Sequence, residues 1–527
     1  MGKIQSKLNF SLSYRLGCHY KFLSLTCFFL LQEFLQKKKH MKSQIFSFSA
    51  PLSLFKKRTL ILIQFFLIIF VYHTLKDLKD TIVITGSEAG AEVIPFIKIW
   101  AMLPLAVAAS YFFAKLYNRF GREKTLYFFV GLLLSVYLLF AFVLYPFRQE
   151  LYLDQFSHYL RQMLPIGARG GIAMVGFWHY TLFYLAAELW SLLVLSILFW
   201  GYVNETTSLE DAKQFYPLCM FTGNFAGILS GQVSHFLCHH LANAISWQLT
   251  LQLMVAIVAF CGMAIMKINH WLSKDTNGLQ AKKQQKARQP HSFKDNLSSI
   301  FKSMPLLCIA LLVVGFGLTS NLIEVVWKEN IRQLHPSPQA YNAYINQLTS
   351  LIGLFAVIMA FASRWIFQLL SWTKVALLTP LALFATSLVF FSSLLLPGEQ
   401  VSWLSSFVAM SPLQLVVTLG SIYYVLAMTA KYTIFDTTKE MAFLSIEAEE
   451  RMRAKSVIDS IGSRLGKSGA SCFYQFLLIS FGATAGHISV IGMTSIVVIS
   501  FSILATKKLG GYLSDRGENL PLVEAIS

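Results

Sequence analysis

Twelve long apolar stretches, separated by short polar intervals, constrain this chain more than any other feature. A segment that crosses the hydrocarbon core of a bilayer needs about 20 mostly apolar residues, and a helix satisfies its own backbone hydrogen bonds inside lipid. Charged residues make up only 13% of the 527 residues, whereas soluble domains carry about 25%. We therefore predict an all-α membrane protein with twelve transmembrane helices, near residues 59–75, 93–115, 125–145, 172–201, 214–236, 247–267, 304–327, 343–369, 374–396, 402–428, 457–481 and 485–506.

The net charge of +18 follows this topology. Lysines and arginines crowd those ends of the spans that fall on one side of the membrane, as in the runs 56–58, 115–124 and 274–294. Loops rich in Lys and Arg stay in the cytoplasm, so both termini are predicted to be cytoplasmic. A nucleic-acid partner is not expected, because that would need a basic soluble module with interleaved aromatic residues. The seven cysteines form no C-x-x-C pair and indicate neither a zinc site nor a disulfide framework, and no cofactor is expected.

A hydrophilic interval rich in Lys and Gln divides the spans into two groups of six. For the first forty residues two alternatives stay open: translated upstream sequence, with Met41 the true start, or a tail without a fold. We predict five parts of the chain: a cytoplasmic segment 1–57, a first six-helix half 58–268, a cytoplasmic linker 269–303, a second six-helix half 304–508 and a cytoplasmic tail 509–527.

The two halves share strings at an offset near 240 residues. TGNFAGILSGQ around Gly223 matches IGSRLGKSGAS from Ile461, with the same glycine spacing. LKDLKD, ending at Asp80, and IEVVWKEN, starting at Ile323, are each expected to close the first span of a half. The alternative is chance resemblance among apolar helices. Two six-helix repeats that face one another are typical of a transporter with a site near the bilayer midplane, between the repeats.

Several charges lie inside the predicted spans, where each costs about 2.5–3.5 kcal/mol unless it faces a cavity or a partner. Glu188 has about ten apolar residues on each side, too many for its carboxylate to reach the membrane surface. Arg464 and Lys467 are three residues apart and so share one helix face. The set comprises Lys98, Glu188, Glu324, Arg464 and Lys467.

Two of these charges have simpler explanations. Lys98 is about one turn inside its span, so its amine can extend to the outer membrane interface. Glu324 can form an interfacial pair with Lys328, four residues further on. Aromatic residues such as Trp178, Tyr184, Trp190 and Trp200 can stack on a base, but such residues in spans more often serve packing.

The string GKS at Gly466 resembles the end of a phosphate-binding P-loop, but the required first glycine is replaced by Ile461 and no buried strand precedes it. No H-E-x-x-H or G-x-S-x-G string occurs either, so we do not expect an enzyme. Gly462, Gly466 and Gly469 instead thin a helix, and Arg464 and Lys467 place positive charge there, where a multiply charged anion would be attracted. Glu188 and Glu324 would then pair with lysines in the absence of substrate, or exchange a proton.

The loop AKLYNRFGREKTL, from Ala114, resembles the loop that major facilitator transporters carry between their second and third spans, with Asn118 in place of the usual Asp. The resemblance implies that basic residues of this loop contact the end of an opposite helix. Such a contact would bias the equilibrium between inward-facing and outward-facing conformations. The alternative is simple positive-inside anchoring.

Further strings resemble the ATP/ADP translocases of intracellular bacteria and plastids: EVIPFIKIW, FYLAAELW, LSILFWGYVNETT, LIEVVWK, KEMAFLSIE and IGSRLGKSGAS. The resemblance runs from about Leu60 to the end of the last span. It implies a fold like that of the major facilitators and nucleotide exchange or uptake across a bacterial inner membrane. It assigns transport roles to Lys98, Glu188, Glu324 and Lys467, and matches further family positions at Lys79, Asp80, Asn224 and Lys439.

The mode of transport stays open at this point. GNFAG and VYHTLKD stand where exchangers of that family tend to have GANVA and an Asn-Tyr with an Arg-Asp. ATP/ADP exchange, net import of nucleoside triphosphates, proton-coupled symport and NAD transport are alternatives within the family. A carrier of another organic phosphate is the alternative outside it. Base preference, stoichiometry and oligomeric state do not follow from these residues.

Overall fold

The computed structural model describes residues 52–207, 209–274, 300–301, 303–396, 400, 405–406, 408–446, 451, 454–455, 457–458, 462–482 and 485–515. Contacts divide the chain into two units, Met1–Ile61 and Leu62–Ser527. The described part of the first unit is the beginning of the first helix, and the site lies in the second unit. The predictions for residues 1–51 and for most of the linker fall outside the described residues.

The described part of the chain is helical and contains no strand. The long run Gly90–Leu144 opens with a 3₁₀ turn and includes two π-helical turns, Ile97–Met102 and Phe140–Leu144. Three further π-helical segments are Trp190–Phe199, Phe236–His240 and Lys431–Phe435. The helices are α1 Leu52–Gly86, α2 Gly90–Leu144 (the whole run), α3 Asp154–Met163, α4 Arg169–Gly176, α5 Trp178–Leu189, α6 Trp200–Thr206, α7 Leu209–His235, α8 Trp247–Lys274, α9 Met304–Leu334, α10 Pro338–Leu369, α11 Trp372–Leu395, α12 Pro412–Ala430, α13 Asp436–Leu444, α14 Ser463–Phe481 and α15 Ala485–Asp515.

Nine helical stretches among the described residues are long and apolar enough to cross a membrane. One of them, α2, contains two predicted spans, 93–115 and 125–145. The two parts are separated at Gly121, whose φ of 74° lies in the left-handed region that glycine tolerates. The predicted spans 214–236 and 457–481 correspond to α7 and α14, helices of 27 and 19 residues that are not among the nine.

The first helices of the two predicted halves are longer than their apolar cores. The helix α1 continues to Gly86, past LKDLKD, and α9 continues to Leu334, past IEVVWKEN. The two helices therefore continue past the strings that were predicted to close their spans. Hydropathy ends a span at its first cluster of charges, whereas a helix continues when those charges find partners. Similarly, α8 extends to Lys274, into the predicted linker.

Glycines allow several helices to approach closely. A Cβ on Gly231 of α7 would lie 2.3 Å from Ser350 Oγ of α10. The two predicted repeat strings take equivalent places, because Gly227 of α7 packs on His73 of α1 and Gly466 of α14 packs on Gly317 of α9. The start of α2 also packs against α14. The α7–α10 and α2–α14 contacts thus join the two predicted halves.

Candidate functional site

Five charged side chains form a continuous chain of ion pairs between α5, α1 and α9. Glu188 of α5 lies 3.0 Å from the Lys79 amine, which lies 2.8 Å from Asp80. The other Asp80 oxygen lies 2.6 Å from the Lys328 amine of α9, and Lys328 lies 2.5 Å from Glu324. Signs alternate along this ion chain, so every inner member contacts two opposite charges. Such charge-assisted hydrogen bonds are the strong ones in proteins.

The inner members of the ion chain are buried and its ends are more accessible. The side chains of Lys79, Asp80 and Lys328 are 5–7% exposed, whereas Glu324 is 16% and Glu188 30% exposed. The Lys79 amine also lies 3.8 Å from the centre of the Tyr184 ring. The two glutamates are therefore the most accessible members of the ion chain.

A second ion pair stands one turn earlier on α1. Lys76 lies 3.7 Å from Asp77, and Asp77 accepts a hydrogen bond of 2.6 Å from Thr349 of α10. Together with the ion chain and Lys98, these groups comprise four cations and four anions, so their formal charges cancel. The groups are Lys76, Lys79, Lys98 and Lys328 against Asp77, Asp80, Glu188 and Glu324.

Lys98 differs from the other three lysines because its partner is neutral. Its amine donates a hydrogen bond of 2.8 Å to Asn321 Oδ1 of α9, and the Asn321 amide donates one of 2.8 Å to Gly317 O. Within the described residues no carboxylate lies within ion-pair distance of Lys98. The amine points across to α9, so the explanation that Lys98 extends to the membrane interface is wrong. A charged acceptor binds an ammonium group more strongly than an amide does.

Arg464 and Lys467 are exposed and stand beside this region. Gly466 packs on Gly317, where an added Cβ would lie 3.6 Å from the Lys467 backbone nitrogen. Gly317 is one helical turn, about 6 Å, from Asn321. The Lys467 backbone is therefore close to Lys98 and its partner, although no ion pair joins Lys467 to the ion chain in the described structure.

Two other predicted residues lie apart from the ion chain. Asn224 is half-buried on α7, and its carbonyl oxygen would lie 2.9 Å from a Cβ on Gly353 of α10, so it stands at the α7–α10 contact. Lys439 of α13 lies 3.6 Å from Glu440 and 3.9 Å from Asp436. It also lines an apolar pocket within the second predicted half, between α9, α11, α13 and α15.

Four members of this site were not predicted as site residues from the sequence, although their spacing could have indicated them. They are Lys76, Asp77, Asn321 and Lys328. LKDLKD repeats a Lys-Asp pair after three residues, so Lys76 and Asp77 fall on the same face as Lys79 and Asp80. Asn321, Glu324 and Lys328 are spaced i, i+3 and i+7, which is again one helix face. Lys328 was assigned only to an interfacial pair with Glu324, but it also bonds Asp80 and is buried.

At one end of the bundle, where α1 ends and α2 begins, the predicted halves are in contact. The Ala91 amide donates a hydrogen bond of 3.0 Å to Glu329 Oε2 of α9. Gly90 adopts φ +57°, and a Cβ there would lie 2.2 Å from the same carboxylate. Arg169 of α4 makes two hydrogen bonds, of 2.5 and 2.6 Å, to the buried Glu92 carboxylate. The hydrogen bonds to Glu92 raise the pKa of the Arg169 guanidinium above its ordinary value, so the guanidinium stays charged.

Backbone contacts complete this closed end, which we define by Ala91, Gly167, Glu329 and Leu478. A Cβ on Gly167 would lie 2.1 Å from Leu478 O of α14, so a larger residue would separate the two elements. Nearby, the Gln475 amide of α14 donates a hydrogen bond of 2.9 Å to Pro95 O of α2. The predicted halves are therefore in direct contact at this end.

The loop around Gly121 contacts its own half. The Arg122 guanidinium lies 3.5 Å from the centre of the Tyr202 ring of α6. Glu123 accepts a hydrogen bond of 2.8 Å from Tyr127 and lies 3.3 Å from His270 Nδ1 of α8. These contacts fix the middle of α2, next to Gly121, against α6 and α8.

Long apolar helices around a buried, charge-balanced cluster are typical of a polytopic membrane transporter. The structure is similar to a bacterial homologue of the iron transporter ferroportin in an inward-facing state, with a TM-score of 0.54, 14% identity and coverage of 87% of this chain and 99% of that one. It is also similar to the nucleoside transporter NupG, with a TM-score of 0.50, 11% identity and coverage of 86% and 98%. These likenesses concern the fold alone.

The chain belongs to the TLC ATP/ADP transporter family, whose profile matches residues 33–512. It is 33% identical over 481 residues to ADP,ATP carrier protein 2 of Chlamydia pneumoniae, with 86% of this chain and 87% of the relative covered. It is 31% identical over 468 residues to the chloroplastic ADP,ATP carrier protein 1 of Arabidopsis thaliana, with 88% and 75% covered. The resemblance seen in the sequence strings is thereby confirmed.

Proposed function

We propose that this protein carries adenine nucleotides across a bacterial inner membrane by exchanging ATP for ADP. The observation that carries this proposal is the charge-balanced cluster between α1, α5 and α9, in a chain whose relatives are ADP,ATP carriers. In this proposal twelve helices form two six-helix halves, and α7 and α14 are two of the spans. Both termini are cytoplasmic, so the closed end faces the periplasm and the site opens to the cytoplasm.

Binding begins at the cations that are easiest to reach. A nucleotide phosphate replaces Asn321 at the Lys98 amine, since a charged acceptor binds an ammonium group more strongly than an amide does. A second phosphate competes with Glu188 for Lys79, because Glu188 is the most exposed member of the ion chain. Lys467 and Arg464 then supply the additional positive charge that a polyphosphate needs.

Glycines bring Lys467 close enough to take part. Gly466 and Gly317 pack backbone to backbone, which places the Lys467 backbone beside Gly317. Gly317 is one turn of α9 from Asn321. A side chain at either glycine would move α14 away from α9 and remove the Lys467 amine from reach of a phosphate held by Lys98. The glycines of GKSG thus act through helix packing rather than as a phosphate-binding loop.

The balanced charges favour exchange over release of an empty carrier. Without substrate each charge of the ion chain has a partner, so the vacant state is stable and resists rearrangement. A nucleotide takes the Lys79 cation from Glu188 and lowers that barrier, while the Asp80–Lys328 pair stays closed. In the competing mechanism, proton symport, a proton on Glu188 would take the place of the internal nucleotide.

Proteoliposomes test the proposal directly. Vesicles that contain ADP should take up labelled ATP, whereas vesicles without nucleotide should not. Uptake by empty vesicles under an inward proton gradient would contradict exchange and show proton symport instead. Uptake of NAD, or of another organic phosphate, but not of ATP would show that the proposed substrate is wrong.

A lysine variant tests the site. Lys467→Ala should abolish ATP uptake, because it removes a cation beside Lys98, while the protein still inserts. Lys267→Ala is the matched control, since Lys267 is also an exposed lysine on a spanning helix but lies over the Trp271 ring. Equal uptake by wild type and Lys467→Ala would exclude Lys467 from the transport path.

A further inference from the structure

Three histidines at the end of α7 lie together without a role in the site described above. The ligand atoms of His235, His239 and His240 are all within 4.8 Å of one another. Their ring centroids lie 5.0 Å apart for the pairs His235–His239 and His239–His240, and 6.2 Å apart for His235–His240. His235 is half-buried, whereas His239 and His240 are exposed.

The π-helical turn Phe236–His240 brings these three rings together. In an α-helix His239 would share a face with His235, but His240 would be rotated away by roughly 140°. In a π-helix the backbone bond runs from residue i to i+5, which stacks His240 one turn above His235. Insertions of this kind often occur at functional sites. The local backbone is therefore the reason that all three imidazoles face one point.

His235 is already oriented as a metal ligand would be. Its Nδ1 lies 3.1 Å from the carbonyl oxygen of Ala343 on α10. A hydrogen bond from Nδ1 to a carbonyl fixes the tautomer in which Nε2 is free to bind a metal, and metal-binding histidines almost always have such a partner. His239 and His240 are exposed and can supply the remaining nitrogens.

We propose that His235, His239 and His240 bind a zinc-like divalent transition-metal ion. Imidazole is a preferred ligand of zinc, copper and nickel, and three nitrogens with one open position for water are a common zinc arrangement. Tetrahedral zinc, with Zn–N of about 2.0–2.1 Å, needs ligand atoms about 3.3 Å apart. Rotation of the two exposed rings brings the nitrogens from their present spacing to that one.

The metal would also act on the contact between α7 and α10. His235 bonds Ala343, and the neighbouring Cys238 thiol donates to Asn342 Oδ1 at 3.2 Å, both on α10. Asn342 in turn donates a hydrogen bond of 2.8 Å to Thr81 of α1. A metal on Nε2 fixes the ring that makes the His235–Ala343 contact. By linkage, a ligand that favours this contact holds α7 and α10 together and slows their separation.

Binding is tested on the full chain, purified in detergent with a tag that contains no histidine and freed of metal by a chelator. Calorimetric titration with zinc should show one equivalent bound by wild type. His239→Ala combined with His240→Ala should weaken binding by about 100-fold or more, because two of three ligands are lost. His158→Ala is the control, since His158 is an exposed histidine that bonds only Gln162 in the described structure. Absent zinc binding, or equal binding by the double variant, would overturn the site.

The effect on transport is measured with the same proteins in vesicles. Saturating zinc should slow ATP uptake several-fold in wild type and in His158→Ala, but not in the double variant. The double variant should transport at the wild-type rate without zinc, because neither exposed ring contacts the ion chain. Uptake that zinc does not change in wild type would overturn the coupling to the α7–α10 contact.

Discussion

Lys328 offers the sharpest test of the ion chain, because it is the link between α1 and α9. Its amine lies 2.6 Å from Asp80 and 2.5 Å from Glu324. At an effective dielectric constant of about 20 the two attractions amount to about 13 kcal/mol, and repulsion between the two carboxylates offsets about 3 kcal/mol of that. Desolvation of the ions costs several kcal/mol more. Breaking a buried pair by removing one partner typically costs about 3–5 kcal/mol, and we expect this loss for Lys328→Met.

The assay is thermal unfolding in detergent, followed by tryptophan fluorescence. A change of 1 kcal/mol shifts the melting temperature by about 2–4 °C in chains of 150–250 residues and by less in longer ones. We therefore expect Lys328→Met to melt about 3–10 °C below wild type. Lys431→Met is the matched control, because Lys431 lies 3.8 Å from Asp436 with its side chain 32% exposed, and such pairs contribute little.

A double variant separates charge from packing. Lys328→Met combined with Glu324→Gln removes the carboxylate that the single variant leaves unpaired, so it should recover part of the lost stability. The reasoning would be refuted if Lys328→Met melted with wild type, or if the double variant were no more stable than the single one.

Three further changes test other parts of the site. Lys98→Gln should reduce ATP uptake about 10- to 100-fold, the cost of losing one charged hydrogen bond, with an unchanged melting temperature; wild-type uptake would contradict this. Gly466→Val should lower the melting temperature, because a Cβ there lies 2.7 Å from Val314 O, whereas Gly469→Ala, with no atom within 4 Å, should not; equal behaviour of the two would refute the packing argument. Glu188→Gln should slow ATP exchange without altering its pH profile; a profile that flattens would instead support proton coupling.

Much of the fold could be predicted from hydropathy alone. Each of the twelve predicted spans has a helix at its place, because apolar length dictates helix formation in lipid. The ends of the helices could not be predicted, because a hydropathy profile does not include the ion pair by which Lys79 and Asp80 neutralise each other inside α1. The break in α2 at Gly121 and the π-helical turns could not be predicted either, because they depend on local packing rather than on composition.

The candidate site was predicted one residue at a time rather than as a connected set. The cost of charge in lipid pointed to Lys98, Glu188 and Glu324, and the family resemblance added Lys79 and Asp80. Which lysine meets which acid depends on how α1, α5 and α9 pack, and no local pattern contains that information. Lys328 is the clearest example: its partner at i+4 was evident, but its partner on α1 is 248 residues away.

The ion pair between Asp80 of α1 and Lys328 of α9 joins the two predicted halves. When two rigid bodies rock against each other, parts near the fulcrum move least and parts near the rims move most. An ion pair at the pivot between two rocking bodies can persist throughout the movement, because ion pairs tolerate small changes in angle. In the proposed exchange, Lys328 and Asp80 can therefore stay paired while the two predicted halves rock against each other.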